Sequence, residues 1–160
     1  MKVIKVKLNP KSIEKAITEL QMYKEDVERR VKLLLDVLIE RGAEIARAKI
    51  VELDAIDSGN LLKSVESVIS GNVGFIRVNS EYGIFVEFGT GIVGDGSPHP
   101  QSGEFDWEYD VNEHGDAGWH FPADDGSWPI TKGQASRPFM YETAQQLREE
   151  MPYFIKGVFG

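Results

Sequence analysis

From residue 26 to about residue 53, apolar side chains fall at Val27, Val31, Leu34, Leu35, Leu38, Ile45, Ile50 and Leu53, with Glu28, Arg29, Arg30, Lys32, Glu40, Arg41 and Glu44 elsewhere. A stripe of that period predicts one long amphipathic helix whose apolar side faces a core. Gly42 sits inside it at a cost of about 1 kcal/mol against alanine, and marks either a close helix contact or a bend. At 160 residues the chain is one domain's worth, long enough to bury most of its apolar surface without disulfides or metals.

The remaining elements are shorter. Residues 3–8 alternate Ile4, Val6 and Leu8 with Lys5 and Lys7, which suits a short edge strand guarded by lysines. Asn9-Pro10 reads as a cap followed by proline in the first helical position, and Ile13, Ala16, Ile17 and Leu20 predict a first helix to about Tyr23, ahead of the long one. Asp57-Ser58-Gly59-Asn60 breaks the long helix and caps a short turn over 61–64. Two β-rich runs, 65–70 and 73–78, flank Gly71-Asn72 and predict a tight hairpin. Ser80 is placed to cap a short helix with Tyr82, Phe85 and Val86 on one side, although Ile84, Val86 and Phe88 also alternate as in a strand. Ser136-Arg137-Pro138 opens the last helix, with Met140, Ala144, Leu147 and Met151 on one face. Pro152 is expected to end or kink it, leaving Phe154, Ile155, Val158 and Phe159 as an apolar tail that packs on the domain or on a partner.

Residues 89–133 break both periodicities. They are dense in glycine and hold four prolines, all three tryptophans and all three histidines. A stretch that long in a compact domain means function, disorder or structure of its own, and its aromatics argue against disorder. The reading is a folded-back arm, 91–133, inserted before the last helix of a single domain spanning 1–160, with short strands near 105–109 and 118–121. The predicted class is α+β: a long N-terminal helix and a C-terminal helix packed on a small antiparallel sheet, with a long aromatic-rich arm.

The arm begins on Gly89-Thr90-Gly91-Ile92-Val93-Gly94, which spells the phosphate-cradling G-x-G-x-x-G. That fingerprint needs a strand before it and a helix opening at its third glycine. Asp95-Gly96-Ser97-Pro98-His99-Pro100 follows, so no helix is expected to open there, and the glycines are assigned to backbone reversal.

Composition removes several function classes. The chain has no cysteine, hence no disulfide framework, thiolate zinc site or cysteine nucleophile, which fits folding in a reducing cytosol. A formal net charge of −8 opposes general affinity for nucleic acid and otherwise serves solubility. Residues 1–7 hold no apolar signal-peptide core, and no run approaches the roughly 20 residues of a membrane span. The chain is therefore expected to be neither exported by a signal peptide nor anchored.

Candidate chemistry is sparse. His99, His114 and His120, with Asp110, Glu113, Asp116, Asp124 and Asp125, offer metal-ligating types without an ordered spacing. Ser58-Gly59 and Ser102-Gly103 lack a nucleophile elbow. Glu87, between Val86 and Phe88, must face outward or be paired, and Arg77 and Arg137 are its expected partners. No catalytic, cofactor-binding or metal-binding residue is assigned.

Three segments together carry a resemblance: Gly59 to Ser64, the aromatic-Val-Glu-Phe-Gly-Thr run at Phe85 to Thr90, and Arg137-Pro138-Phe139. From roughly residue 27 to 147 the chain resembles the minor tail-component or tail-completion (head-to-tail joining) proteins of long-tailed bacteriophages and prophages. Its arm is longer than in many members and looks like the form found in relatives from Gram-positive hosts, with Trp119, Pro122, Trp128 and Thr131-Lys132-Gly133 as landmarks.

The resemblance implies a structural virion protein of the head-tail junction or tail top, made in the host cytoplasm, with no cofactor and no membrane. It implies a ring of copies, expected to be a hexamer though monomeric in isolation where assembly needs a partner, touching neighbouring connector and tail proteins. DNA would pass through without specific binding, repelled by an acidic lumen. On the residues themselves, Phe85, Val86 and Phe88 read as core anchors, Gly89 and Gly91 as the exit into the arm, Pro138 as the start of the last helix, Phe139 as a core plug, and Arg137 as a partner for Glu87. Trp107, Trp119 and Trp128 are interface candidates, or else tack the arm to its own domain. The rivals are a metal-dependent hydrolase using histidines and carboxylates of the arm, and a tail-assembly chaperone missing from finished particles.

Overall fold

The computed structural model describes residues 3–55, 59–123 and 125–160. Its dominant element is one helix, α1, over Pro10–Glu52. The two helices expected on either side of residues 24–25 are continuous, because Asp26 accepts hydrogen bonds from Arg29 and Arg30 one turn on, the latter at 2.8 Å, and ties the stretch into helix. Asn9 caps it, its Oδ1 accepting from Ser12 N at 2.9 Å, with Pro10 in the first turn. The strand expected at 3–8 does not form: among the described residues no strand pairs with that segment, and Leu8 is fully exposed.

A short helix α2 (Asn60–Lys63) turns the chain into the hairpin β1 (Val65–Ser70) and β2 (Val73–Val78), paired antiparallel from Val65 opposite Val78 to Ser70 opposite Val73. Gly59 precedes α2 at φ +76°; Asp57 and Ser58, the expected breaker and cap, lie outside the described residues. The hairpin lies across the C-terminal half of α1. Gly42 marks a close contact, since a Cβ there would overlap the Ile76 side chain of β2 and sit 3.2 Å from Leu147 of the last helix.

After the hairpin come the short helices α3 (Gly83–Phe88) and α4 (Gly91–Gly96), then an arm whose strands, among the described residues, are β3 (Trp119–His120) and β4 (Ile130–Thr131), and finally α5 (Phe139–Phe159). α5 runs antiparallel along α1: Lys49 meets Glu142 at 3.1 Å, Arg41 meets Glu150 at 2.7 Å, and Arg30 donates to the Val158 carbonyl at 2.8 Å. Pro152 does not end the helix, which runs through it to Phe159 with the proline on the exposed side. Of the expected apolar tail, Phe154 and Val158 are half-buried while Ile155 and Phe159 stay exposed, as does the neighbouring Tyr153.

The core gathers at one end of α1. Ala43, Ala46 and Ile50 pack with Leu61, Val65, Val86 and Phe139, the last 1% exposed. The fold is thus α+β, two long helices on a two-stranded sheet. Among the described residues no helix is long and apolar enough to cross a membrane.

Candidate functional site

Where the core meets the arm, Glu87 does what the sequence alone did not assign to it. The helix α5 starts at Phe139 with Pro138 before it and no cap of its own, so its first N–H groups need an acceptor. Glu87, 7% exposed, provides one: Oε2 accepts from Met140 N at 2.8 Å and Oε1 from Tyr141 N at 2.9 Å. A carboxylate at a helix N-terminus also has a favourable field.

The third partner is His99, 3% exposed, whose Nε2 lies 3.1 Å from Oε1 of Glu87. The backbone N–H of Gln101 donates to Nδ1 at 3.0 Å. Nδ1 is therefore the acceptor and Nε2 carries the hydrogen aimed at Glu87. Both ring nitrogens are thus engaged within the chain.

The expected arginine partners are corrected by this geometry. Arg77 pairs with Glu66 across the hairpin at 2.8 Å, and Arg137 donates to the Gln134 side chain at 3.2 Å. A guanidinium would have to be desolvated to reach Glu87, whereas the N-terminus of α5 and the imidazole bring donors already at hand.

Around this pair the two motif segments are joined directly. Arg137 N donates to Val86 O at 2.9 Å, Ser136 Oγ to Glu87 O at 2.6 Å, and the Gln134 amide to Phe85 O at 3.1 Å. Thr90 and Gln134 exchange backbone hydrogen bonds at 2.9 and 3.0 Å, so the arm leaves and returns at one point. Gly89 makes the crossing possible. Its φ +82°, ψ 172° belongs almost to glycine alone, and a Cβ would stand 2.7 Å from Ser136 N.

The aromatic residues divide differently from expectation. Val86 enters the core, but Phe85 is 45% exposed and Phe88 is half-buried; both meet Trp107, at ring distances of 6.0 and 4.9 Å. The Trp107 indole N–H donates to Gly89 O at 3.1 Å, and Tyr109 takes Gly91 N on its carbonyl at 2.6 Å and His99 N on its hydroxyl at 2.8 Å. Residues 105–109 consequently form no strand, their backbone being bent so that Trp107 and Tyr109 point inward. Gly91, at φ +61°, starts the single short helix α4, which stops at Ser97 ahead of Pro98. A helix does open inside the glycine run, contrary to the sequence reading, but the element before it is the helix α3, so the fingerprint lacks its strand. Ser80 does not cap α3 with its side chain; its hydroxyl is buried without a hydrogen-bond partner.

Farther out, Trp119 is half-buried beside His114, with ring centroids 5.4 Å apart, and β3 pairs with β4 as a two-residue ladder within the expected 118–121. Beyond this ladder Trp128 is 63% and Ile130 61% exposed. Trp107 therefore tacks the arm to α3, Trp119 packs on His114 within the arm, and Trp128 is the exposed ring of the three.

The histidines are not assembled into one cluster. His114 lies 3.7 Å from Asp110, whose carboxyl is held below its ordinary range by the backbone N–H groups of Gly115 and His114, and His120 Nδ1 contacts the Trp128 carbonyl at 2.7 Å. Among the described residues no group of three or more His, Asp and Glu could hold a metal ion; Asp124 lies outside them. A pocket of about 390 Å³ does open between β2, α3, the arm and α5. Ile76, Val78, Ile84, Phe88, Phe105 and Met140 make it mainly apolar, with Glu87 and His99 in its wall.

Sequence reasoning missed Gln101 and Tyr109, and weighed His99 only as a metal ligand, not as a partner of Glu87. The one usable signal was Glu87, a carboxylate in an apolar run that required donors. Comparison of the chain with models of protein families, with curated proteins and with solved structures finds no match.

Proposed function

We propose that the chain is a structural subunit of the head-tail junction or tail top of a long-tailed phage or prophage particle, working in a ring during tail completion and head-to-tail joining. One observation carries this reading: the segments of the phage-like motifs, Phe85 to Thr90 and Arg137 to Phe139, meet in a single buried joint from which the arm projects. A ring subunit needs such a rigid body with a projecting element to engage its neighbours. Both carboxylate oxygens of Glu87 and both ring nitrogens of His99 are hydrogen-bonded within the chain, which suits a framework.

The arm also suits a channel wall. Residues 91–133 hold nine acidic residues against the single Lys132, and carboxylates left facing a lumen would repel passing DNA. The test is to disrupt the gene in the lysogen or phage that carries it and to view the lysate by electron microscopy. Filled heads and unjoined tails are expected, with the protein present in wild-type particles by mass spectrometry. Complete particles in the disrupted strain, or wild-type particles lacking the protein, would overturn the proposal.

A further inference from the structure

The charge of this chain is distributed unevenly along it. Residues 1–24 hold six lysines and two glutamates, whereas no lysine or arginine occurs between Arg77 and Lys132. A net −8 molecule is thus a basic end joined to a strongly acidic body.

The basic end is also the part of α1 beyond the reach of α5, where Ala16 is buried but the larger apolar side chains are not. Val158 of α5 reaches Arg30, and between Ile13 and Tyr23 five apolar side chains, Ile13, Ile17, Leu20, Met22 and Tyr23, stand 43–63% exposed. Ile13, Ile17 and Leu20 follow one another at i, i+4 and i+7, a single ridge, with Lys11, Lys15 and Lys24 exposed on the same stretch. At 1.5 Å per residue this overhang of α1 is about 24 Å long.

The ridge cannot be covered by its own arm. The pocket beside Glu87 is lined by Phe139, Met140 and Ala144, at the Lys49 end of α1, where Lys49 meets Glu142. Ile17 and Lys49 are 32 residues apart on one unbroken helix, about 48 Å. The acidic, apolar-lined surface that complements the overhang is accordingly within reach only on another molecule.

We infer that the basic overhang of α1 docks on the arm of a second copy of this chain, with the Ile13, Ile17 and Leu20 ridge against the apolar pocket and the lysines against exposed carboxylates such as Glu104, Asp106 and Glu108. The contact is head-to-tail, so each copy offers one donor end and one acceptor end, the geometry that closes into a ring when the rotation permits. The inference rests on the ring reading and names the two faces that would meet. Both charge sets are exposed, so attraction falls as salt rises.

The test uses the whole protein, mixed as equal parts ¹⁴N- and ¹⁵N-labelled chain and treated with a carbodiimide that joins lysines to carboxylates in contact. Heavy-light linked peptides between Lys11, Lys15 or Lys24 and Glu104, Asp106 or Glu108 are expected. Sedimentation velocity should show self-association that weakens at least tenfold in K11E/K15E/K24E, with helical content and melting temperature unchanged, and that returns when this variant is mixed with E104K/D106K/E108K. Self-association with its links elsewhere, for example lysine to Glu14 or Glu19, overturns the inference and leaves the ring reading intact. So does binding of the overhang to vesicles containing phosphatidylserine without heavy-light links. A chain monomeric at every concentration reached also overturns it, while the ring reading is then judged separately by the disruption experiment.

Discussion

The two ends of α1 share a sequence pattern and differ in everything built on it. At the Lys49 end the apolar stripe meets the hairpin, α2, α3 and the first turn of α5, and Ile50 and Phe139 are almost wholly buried. At the Pro10 end the same kind of stripe, Ala16 apart, lies largely in solvent, with Leu20 at 56% and Met22 at 63% exposure. Helical periodicity specifies which side is sticky, and tertiary contacts decide whether that stickiness is spent within the chain or kept for another molecule.

The sharpest way to break this contrast is at the packed end. Phe139→Ala should destabilise the protein by about 3–5 kcal/mol in urea unfolding, as for a fully buried aromatic; a loss near that of an exposed residue would mean that Phe139 is not the plug of this core. Glu87→Gln comes next. It replaces an acceptor that serves three donors by an amide that must turn a donor toward one of them, so about 1.5–3 kcal/mol should be lost. Amide exchange at Met140 and Tyr141 should accelerate, and unchanged exchange there would refute the capping role.

Midway along the seam the effect becomes pH-dependent. Hydrogen bonds from Arg41, then from Gln146, bring the Glu150 carboxyl from its ordinary 4.5 down to about 2. A carboxylate with a lowered folded-state pKa contributes stability above its unfolded pKa and loses it on protonation. The melting temperature should therefore fall as pH drops from about 4.5 toward 2, less steeply in Glu150→Gln. Equal slopes in the two proteins would assign the acid sensitivity elsewhere. At the bare end, Ile17→Ala should change monomer stability by no more than about 0.5 kcal/mol. A larger loss would show that the overhang is covered within its own chain.

The same contrast explains what the sequence made readable. The stripe from Val27 to Leu53 and the Gly71-Asn72 turn are local signals, carried by residues that touch one another, and both elements formed where the pattern placed them. The strand expected at 3–8 needed a partner that residue alternation cannot supply. The apparent end of a helix at Tyr23 was bridged by the i+3 and i+4 pairs of Asp26, a balance of small local terms. Glu87 was recognisable as a carboxylate needing donors, but capping rules act over three or four residues, and the helix it caps begins 52 residues later. Residues 105–109 looked like a strand because Phe105, Trp107 and Tyr109 alternate; stacking of Trp107 on Phe88 claimed the backbone first.

The Thr90–Gln134 pairing has a consequence for how this molecule can change over generations. Because the two ends of the excursion are stitched to each other, what hangs between them behaves as a cassette on a closed loop, and doubling the length of such a loop adds only about 0.6 kcal/mol of closure entropy. Tip residues such as Trp128 are thus free to be lengthened, pruned or exchanged for new contacts, while the stitch, Gly89 and the carboxylate beneath them hold the frame.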